Sequence, residues 1–236
     1  MPSFALVMAA YNEANKLRAV FERSLAVLAE CADDYEIIIL NDGSTDDTGN
    51  IAEEIRQQHA DVVRVITHET NQGIAATFEE LYQAGSHQDY VFDVPADGEF
   101  PPEALREIIP MLDRYDVVVC VRDRLKGYTG YRRFVSYFNR WLPRILFGID
   151  LYDPGSAKCR KREVITEIAV TSKGMYVEQE RMIRAARRGY RIGMLQVLAA
   201  PREDSSGAGA ELRNVCLAVC DMLVLWMRLI VLRQKP

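Results

Sequence analysis

Two rhythms of apolar residues alternate along the first half of the chain. Short runs rich in Val, Ile, Leu and Phe predict strands at residues 4–10, 36–40, 62–67, 90–94 and 116–121. Between them the apolar positions recur at helical spacing, with Leu17, Val20, Phe21, Leu25 and Leu28 marking one face of a first helix. Further helices are expected from a cap within residues 44–48 to about residue 58, from Gly73 to about residue 84, and over residues 102–113. Strands alternating with helices imply βαβ units and a mostly parallel sheet flanked by helices, an α/β fold. Ligands of such sheets sit beyond the carboxyl ends of the strands. That rule selects residues 9–13, 41–47, 71–75 and 93–102.

The second half has a different pattern. Residues 122–162 are basic with interleaved aromatics, followed by a predicted helix over residues 175–188 and a strand over 192–197. A Gly/Ser loop at residues 205–209 leads into a terminal helix from about residue 211. Its residues 214–232 are apolar except for Asn214, Asp221 and Arg228, which are seven apart and share one face. No uninterrupted run reaches the roughly 18–20 apolar residues of a spanning helix. No linker, repeat or low-complexity tract divides the chain.

With 236 residues, 49% hydrophobic, 27% charged and a mean hydropathy of −0.12, the chain is neither disordered, fibrous nor a polytopic membrane protein. Its net charge of −5 hides an asymmetry. Residues 1–103 carry 20 acidic and five basic residues, a net of −15, and residues 104–236 carry a net of +10. A split of that size points to two surfaces with different partners. Five cysteines without CxxC spacing suit a reducing, cytoplasmic compartment. The apolar start lacks a basic flank and reads as a first strand, not a signal peptide. His59, His68 and His87 have no metal-ligand spacing and read as surface or structural residues away from the candidate site.

Three segments carry chemistry. In Asn41-Asp42-Gly43-Ser44-Thr45-Asp46 an acid at a strand end can accept from a base or a ribose, Gly43 lets the chain turn, and Ser44 or Thr45 can cap the next helix. A plain turn and cap would explain Gly43 to Asp46 equally well. In Ala10-Tyr11-Asn12-Glu13 an aromatic can stack on a base, or the segment is simply a capped helix start. In the run from Asp93 to Pro102, Asp93, Asp97 and Glu99 could hold Mg²⁺ or Mn²⁺, cations that prefer oxygen ligands and share them with phosphates.

Together, and in this order, these segments resemble the family 2 glycosyltransferases of the GT-A fold, which is Rossmann-like. The closest branch is that of the polyprenyl-phosphate (dolichyl-phosphate) mannosyl- or glucosyltransferases. The resemblance spans about residues 3–210 and includes Asn71-Gln72-Gly73, Val121-Arg122, Asp153-Pro154-Gly155-Ser156-Ala157-Lys158 and Val177-Glu178-Gln179-Glu180. It implies one domain over residues 1–210, with a nucleotide-sugar half (1–103) and an acceptor half (104–210), and a separate C-terminal apolar helix over 211–236. It further implies that Ala10, Tyr11, Glu13, Asp42, Asn71 and Asp97 hold a GDP- or UDP-linked sugar, and that Asp97 and Glu99 hold the cation. Pro95 stands where the family's first metal-motif Asp belongs, Asn41 replaces the usual Asp, and Ile74 replaces a frequent basic residue.

A lipid phosphate acceptor is already ionised and needs positive charge in place of a base. By resemblance Arg122, Arg132 and Arg202 supply it, with Asp97 and these arginines as the catalytic set. Two other readings stay open: transfer to a glycan hydroxyl with Glu178 or Glu180 as base, and a non-catalytic nucleotide-binding scaffold. Residues 133–152 and the terminal helix have the composition of segments lying in a bilayer interface, which implies a peripheral position on the cytoplasmic membrane face. The terminal helix would serve a homodimer equally well. A nucleic-acid partner is not expected, because no nucleic-acid module accompanies the basic segment.

Overall fold

The computed structural model describes residues 2–122, 141–150, 155–172, 174, 176–200 and 212–234. Arg132, Arg202, Asp153, Pro154 and the 205–209 loop lie outside the described residues.

The described residues form a seven-stranded sheet of order β3-β2-β1-β4-β6-β5-β7. The strands are β1 (Phe4–Ala10), β2 (Tyr35–Asn41), β3 (Val63–Thr67), β4 (Tyr90–Asp93), β5 (Val117–Arg122), β6 (Lys158–Lys161) and β7 (Ile192–Val197). All pairings are parallel except those of β6, which runs antiparallel between β4 and β5. The helices are α1 (Leu17–Cys31), α2 (Thr48–Gln58), α3 (Ile74–Gly85), α4 (Leu105–Ile108), α5 (residues 141–147), α6 (Arg162–Thr166), α7 (Val177–Arg187) and α8 (Leu212–Trp226).

Strand alternation divides the core. Phe4, Leu6 and Met8 of β1 face one layer, packed with Leu17, Phe21 and Leu28 of α1. Ala5 and Val7 face the other, packed with Leu81 and Tyr82 of α3. The expected apolar face of α1 is the buried one, with Leu25 half-buried.

Two expectations fail for identifiable reasons. The helix over 102–113 is broken into a 3₁₀ turn at Pro102–Ala104, the short α4 and a second 3₁₀ turn at Ile109–Met111. Pro110 has no N–H to donate and its ring crowds the preceding turn. Strand β6 was not expected, since Lys158-Cys159-Arg160-Lys161 offers one apolar residue in four. It is nonetheless central, with Lys158 and Arg160 buried.

Met222 and Leu225 of α8, with Leu229 just beyond it, pack into a third cluster with Val117, Met182 and Ile183. The helix continues as one π turn over Met227–Val231. Arg228 reaches back to donate to Thr171 Oγ1 at 3.1 Å. The outward surface is therefore apolar, with Leu217, Leu223, Val224, Met227, Val231 and Leu232 exposed. Among the described residues no helix is long and apolar enough to cross a membrane.

Candidate functional site

The loops after β1 and β2 are stitched together by their polar side chains. Asn12 sits at φ 56°, a left-handed conformation that short amides tolerate. Its N–H donates to Ser44 Oγ (3.0 Å), and its Oδ1 accepts from Thr45 N (2.8 Å). Glu13 N donates to Thr48 Oγ1 (2.9 Å) and Ala14 N to Asp46 Oδ2 (3.2 Å). Ser44 and Thr45, expected to cap α2, instead hold the neighbouring loop. Asp46 Oδ1 accepts from Thr48 N at 3.0 Å, ahead of the helix. These bonds leave the Tyr11 side chain standing at the rim, 48% exposed, while Ala10 is buried beneath it and Glu13 is half-buried.

Gly43 (φ +67°) lies hard against the loop after β3. A Cβ there would stand 2.4 Å from Thr70 C and 2.5 Å from Asn71 N, so no larger residue fits. Asn71 is itself exposed at this edge.

Asp42 is the hub of the same edge and is only 4% exposed. Its Oδ1 accepts from Gln72 N (2.8 Å) and faces His68 Nδ1 at 2.7 Å. Its Oδ2 accepts from Gly73 N (3.1 Å). The other ring nitrogen, His68 Nε2, faces Glu80 Oε2 at 2.9 Å. Burial pushes the Asp42 carboxyl up, but the Gln72 N–H, the His68 ring, the Thr77 hydroxyl and the Gly73 N–H hold it below its ordinary value. Hydrogen bonds to Asp42 and Glu80 raise His68. The expectation that the histidines lie away from the site thus fails for His68. The signal was in the strand pairing: Asn41 is in register with Thr67, so the residues one step beyond meet.

At the end of β4, Asp97 Oδ1 accepts from Glu99 N at 2.9 Å. Glu99, 9% exposed, forms an ion pair with Arg122 Nη1 at 2.5 Å, and the Arg122 guanidinium lies 5.3 Å from the Phe100 ring centroid. A residue expected at the cation and one expected at the acceptor phosphate are therefore partners. Asp93, considered as a further helper, is buried and bonded to Arg160 Nη2 at 2.7 Å. Among the described residues, no group of three His, Cys, Asp or Glu could hold a metal ion. A hard cation that takes one or two carboxylates and completes its shell with water and substrate phosphates needs no such group. Asp97 and Glu99 are two residues apart on one turn, with Glu99 already paired to Arg122.

Behind the edge lies a buried ionic cluster. Arg160, wholly buried, contacts Asp93 and stands 3.1 Å from Glu178 Oε2. Lys158 lies 3.9 Å from the same Glu178 oxygen, and Arg181 Nε lies 3.5 Å from Oε1. Tyr82 underlies Arg160 at 4.2 Å, and Arg181 pairs with Glu79 of α3. Burial pushes the Glu178 carboxyl up, yet Arg160, Lys158 and Arg181 hold it down at about 2. Glu180 accepts from Thr171 N (3.1 Å), Ser172 N (2.7 Å) and Arg184 Nε (2.8 Å). Both glutamates are thus engaged within the protein.

The family model described as glycosyl transferase family 2 matches residues 5–168. The chain is 24% identical over 229 residues to polyprenol monophosphomannose synthase of Mycolicibacterium smegmatis, covering 92% of this chain and 85% of that protein. It is 29% identical over 147 residues to undecaprenyl-phosphate 4-deoxy-4-formamido-L-arabinose transferase of Pseudomonas fluorescens, covering 60% of this chain and 39% of the relative. A solved structure of glucosyl-3-phosphoglycerate synthase from Mycobacterium tuberculosis, with Mn²⁺, UDP and phosphoglyceric acid, superposes with a TM-score of 0.70 at 19% identity, over 95% of this chain and 78% of that one. A mannosyltransferase from Pyrobaculum calidifontis with GDP-Man and Mn²⁺ gives 0.67 at 16% identity, over 96% and 64%.

Proposed function

The chain belongs to glycosyl transferase family 2, and from that premise we propose that it moves a sugar from a GDP- or UDP-linked donor to a polyprenyl phosphate, with inversion at the anomeric carbon. A relative that aligns over most of both chains is named a polyprenol monophosphomannose synthase, which supports the acceptor class. The observation that carries the reading is the edge itself: Tyr11, Asp42 and Asp97 each follow a different parallel strand and stand at one side of the sheet.

Tyr11 offers an exposed ring for stacking on the base, and Ala10, Glu13 and Asn71 frame the same rim. Asp97, with Glu99 beside it, would hold a divalent cation, which supplies neutralisation of the departing diphosphate. Arg122 brings positive charge to the same place and is poised between Glu99 and an incoming phosphate. The acceptor oxygen is already ionised, so displacement needs no base. Glu178, held near 2 by three cations, is a poor proton acceptor at neutral pH, which favours a phosphate over a hydroxyl acceptor. Arg132 and Arg202 complete the proposed acceptor set from the sequence resemblance alone.

The apolar outer face of α8, with exposed Trp141 and Ile145 of α5, suits contact with a lipid surface where the acceptor resides. The position proposed for the protein is peripheral, on the cytoplasmic face. Incubating the protein with radiolabelled nucleotide sugars, Mn²⁺ and undecaprenyl phosphate tests the reading. Transfer that Asp97→Asn abolishes is expected; donor binding without transfer to any prenyl phosphate would reject the acceptor, and no donor binding would reject the function.

A further inference from the structure

On the reading of the edge proposed above, the cation site and the acceptor site share one ion pair. Arg122 Nη1 donates to Glu99 Oε1 at 2.5 Å, and the two side chains are only 15% and 10% exposed. A charge-assisted bond this short and this far from water is no incidental surface contact. Yet Glu99 stands two residues from Asp97 on the turn expected to take a cation, and Arg122 is the described arginine expected to take a phosphate. Each group is the other's ligand.

The backbone on both sides of this pair is pinned. Glu99 N donates to Asp97 Oδ1 (2.9 Å), the Glu99 carbonyl accepts from Ala200 N (2.9 Å), and Gly98 makes the turn at φ 68°. Arg122 ends β5 in register with Val197 of β7, and its guanidinium rests 5.3 Å from the centroid of the buried Phe100 ring. A Cβ at Gly155 would lie 3.8 Å from Arg122 Nη2, so the segment leading into β6 brings backbone, not a side chain, to that side of the fork. What can change is therefore the side-chain partner. A Glu carboxylate swings about its own torsions without moving its Cα, and the guanidinium offers a fork of N–H donors to any anion that replaces it.

We propose that Glu99 is an internal stand-in for the acceptor phosphate, closing Arg122 to anions until the carboxylate turns to a divalent cation. The physical cause is competition for charge. One carboxylate cannot give its full charge to a guanidinium and a dication together, and with little water between them the two cations repel. When Glu99 turns to a cation, Arg122 loses its internal anion and is left poorly compensated, which an incoming phosphate repairs. The two ligands then bind with positive coupling, each raising the other's affinity by the same factor. Only ionic contacts are exchanged, and no covalent bond changes. The consequence is an order: a prenyl phosphate meets a receptive arginine only where a cation is already seated.

Calorimetric titration of the full chain with geranyl phosphate, a water-soluble prenyl phosphate, in EDTA and in millimolar Mn²⁺ tests this without any turnover, with Mn²⁺ binding followed by its electron spin resonance. The wild type is expected to bind geranyl phosphate about tenfold tighter with Mn²⁺ than in EDTA, within the span usual for coupled sites. Glu99→Gln keeps the shape and drops the charge. In EDTA it is expected to reach the affinity that the wild type attains only with Mn²⁺, and to gain little from the metal. Arg122→Gln releases Glu99 and is expected to bind Mn²⁺ severalfold tighter than the wild type. Each gain must vanish where the partner is already substituted, because a diffuse effect of charge would persist in the double variant. Glu99→Gln binding geranyl phosphate in EDTA no tighter than the wild type overturns the inference, since Glu99 then only holds the arginine in place. So does an Mn²⁺ affinity unraised in Arg122→Gln, or a gain that survives in the double variant. If Glu99→Gln melts below the wild type, the Arg122→Gln result decides alone. Geranyl phosphate bound by neither the wild type nor Glu99→Gln under any condition overturns the acceptor reading itself, and this inference with it.

Discussion

The donor edge and the interior cluster solve one problem, a buried carboxylate, by opposite means. At the edge, Asp42 is met by backbone N–H groups and a histidine with hydrogen-bond geometry. In the interior, Glu178 is surrounded by Arg160, Lys158 and Arg181, but among the described residues its two oxygens, Arg160 Nε and Nη1 and Arg181 Nε find no partner with good hydrogen-bond geometry. The first arrangement is directional and fixes the shape of the loops. The second is a balance of charges that tolerates imperfect angles and fixes which elements sit together. Specific recognition belongs with the first, and assembly with the second.

Removing one charge should break this contrast most visibly. Arg160→Met leaves Asp93 and Glu178 without their shared cation and should cost about 3–5 kcal/mol in urea unfolding. A loss under 1 kcal/mol would mean the cluster is not a unit. Asp42→Ala orphans two backbone N–H groups and should cost about 1–3 kcal/mol while abolishing nucleotide binding, so stability and binding fall together. Gly43→Ala puts a methyl group into the Thr70–Asn71 backbone at positive φ, with a loss of about 1–3 kcal/mol and a weaker donor KM. The smallest effect is on pH. His68 is raised by its acids, so its contribution is whole below its ordinary value, near 6.5, and is lost as pH rises through the higher folded value. Asp42 is lowered, so its contribution is whole above its ordinary value and is lost as pH falls through the folded one. Chemical denaturation of the wild type and His68→Gln across pH 5–9 should converge at the alkaline end. Parallel curves would show that His68 carries no charge at this edge.

The sequence makes the edge legible because its signals are local. Alternating strand and helix patterns locate β1 to β5, Tyr11 and Asp42 follow directly upon strand ends, and Asp97 lies four residues beyond the end of β4. What stays hidden depends on partners far along the chain. His68 joins Asp42 through strand register, and Arg160 is buried only because Asp93, 67 residues earlier, and Glu178 receive it. A strand such as β6, three of whose four residues are basic, carries no hydrophobic signature of its burial. The charge split is also partly internal. Asp93 and Glu79 come from the acidic half, and Lys158, Arg160 and Arg181 come from the basic half.

That internal pairing limits how such chains can be recombined. Cutting near residue 103 and grafting another C-terminal part onto residues 1–103 would leave Asp93 and Tyr82 facing whatever side chains the graft supplies. Only a graft bringing a long cation at the position of Arg160, and an acid to balance it on α7, would seat. The proposed acceptor half could change its specificity at the rim, but its underside must stay complementary to its neighbour, as a plug must to its socket.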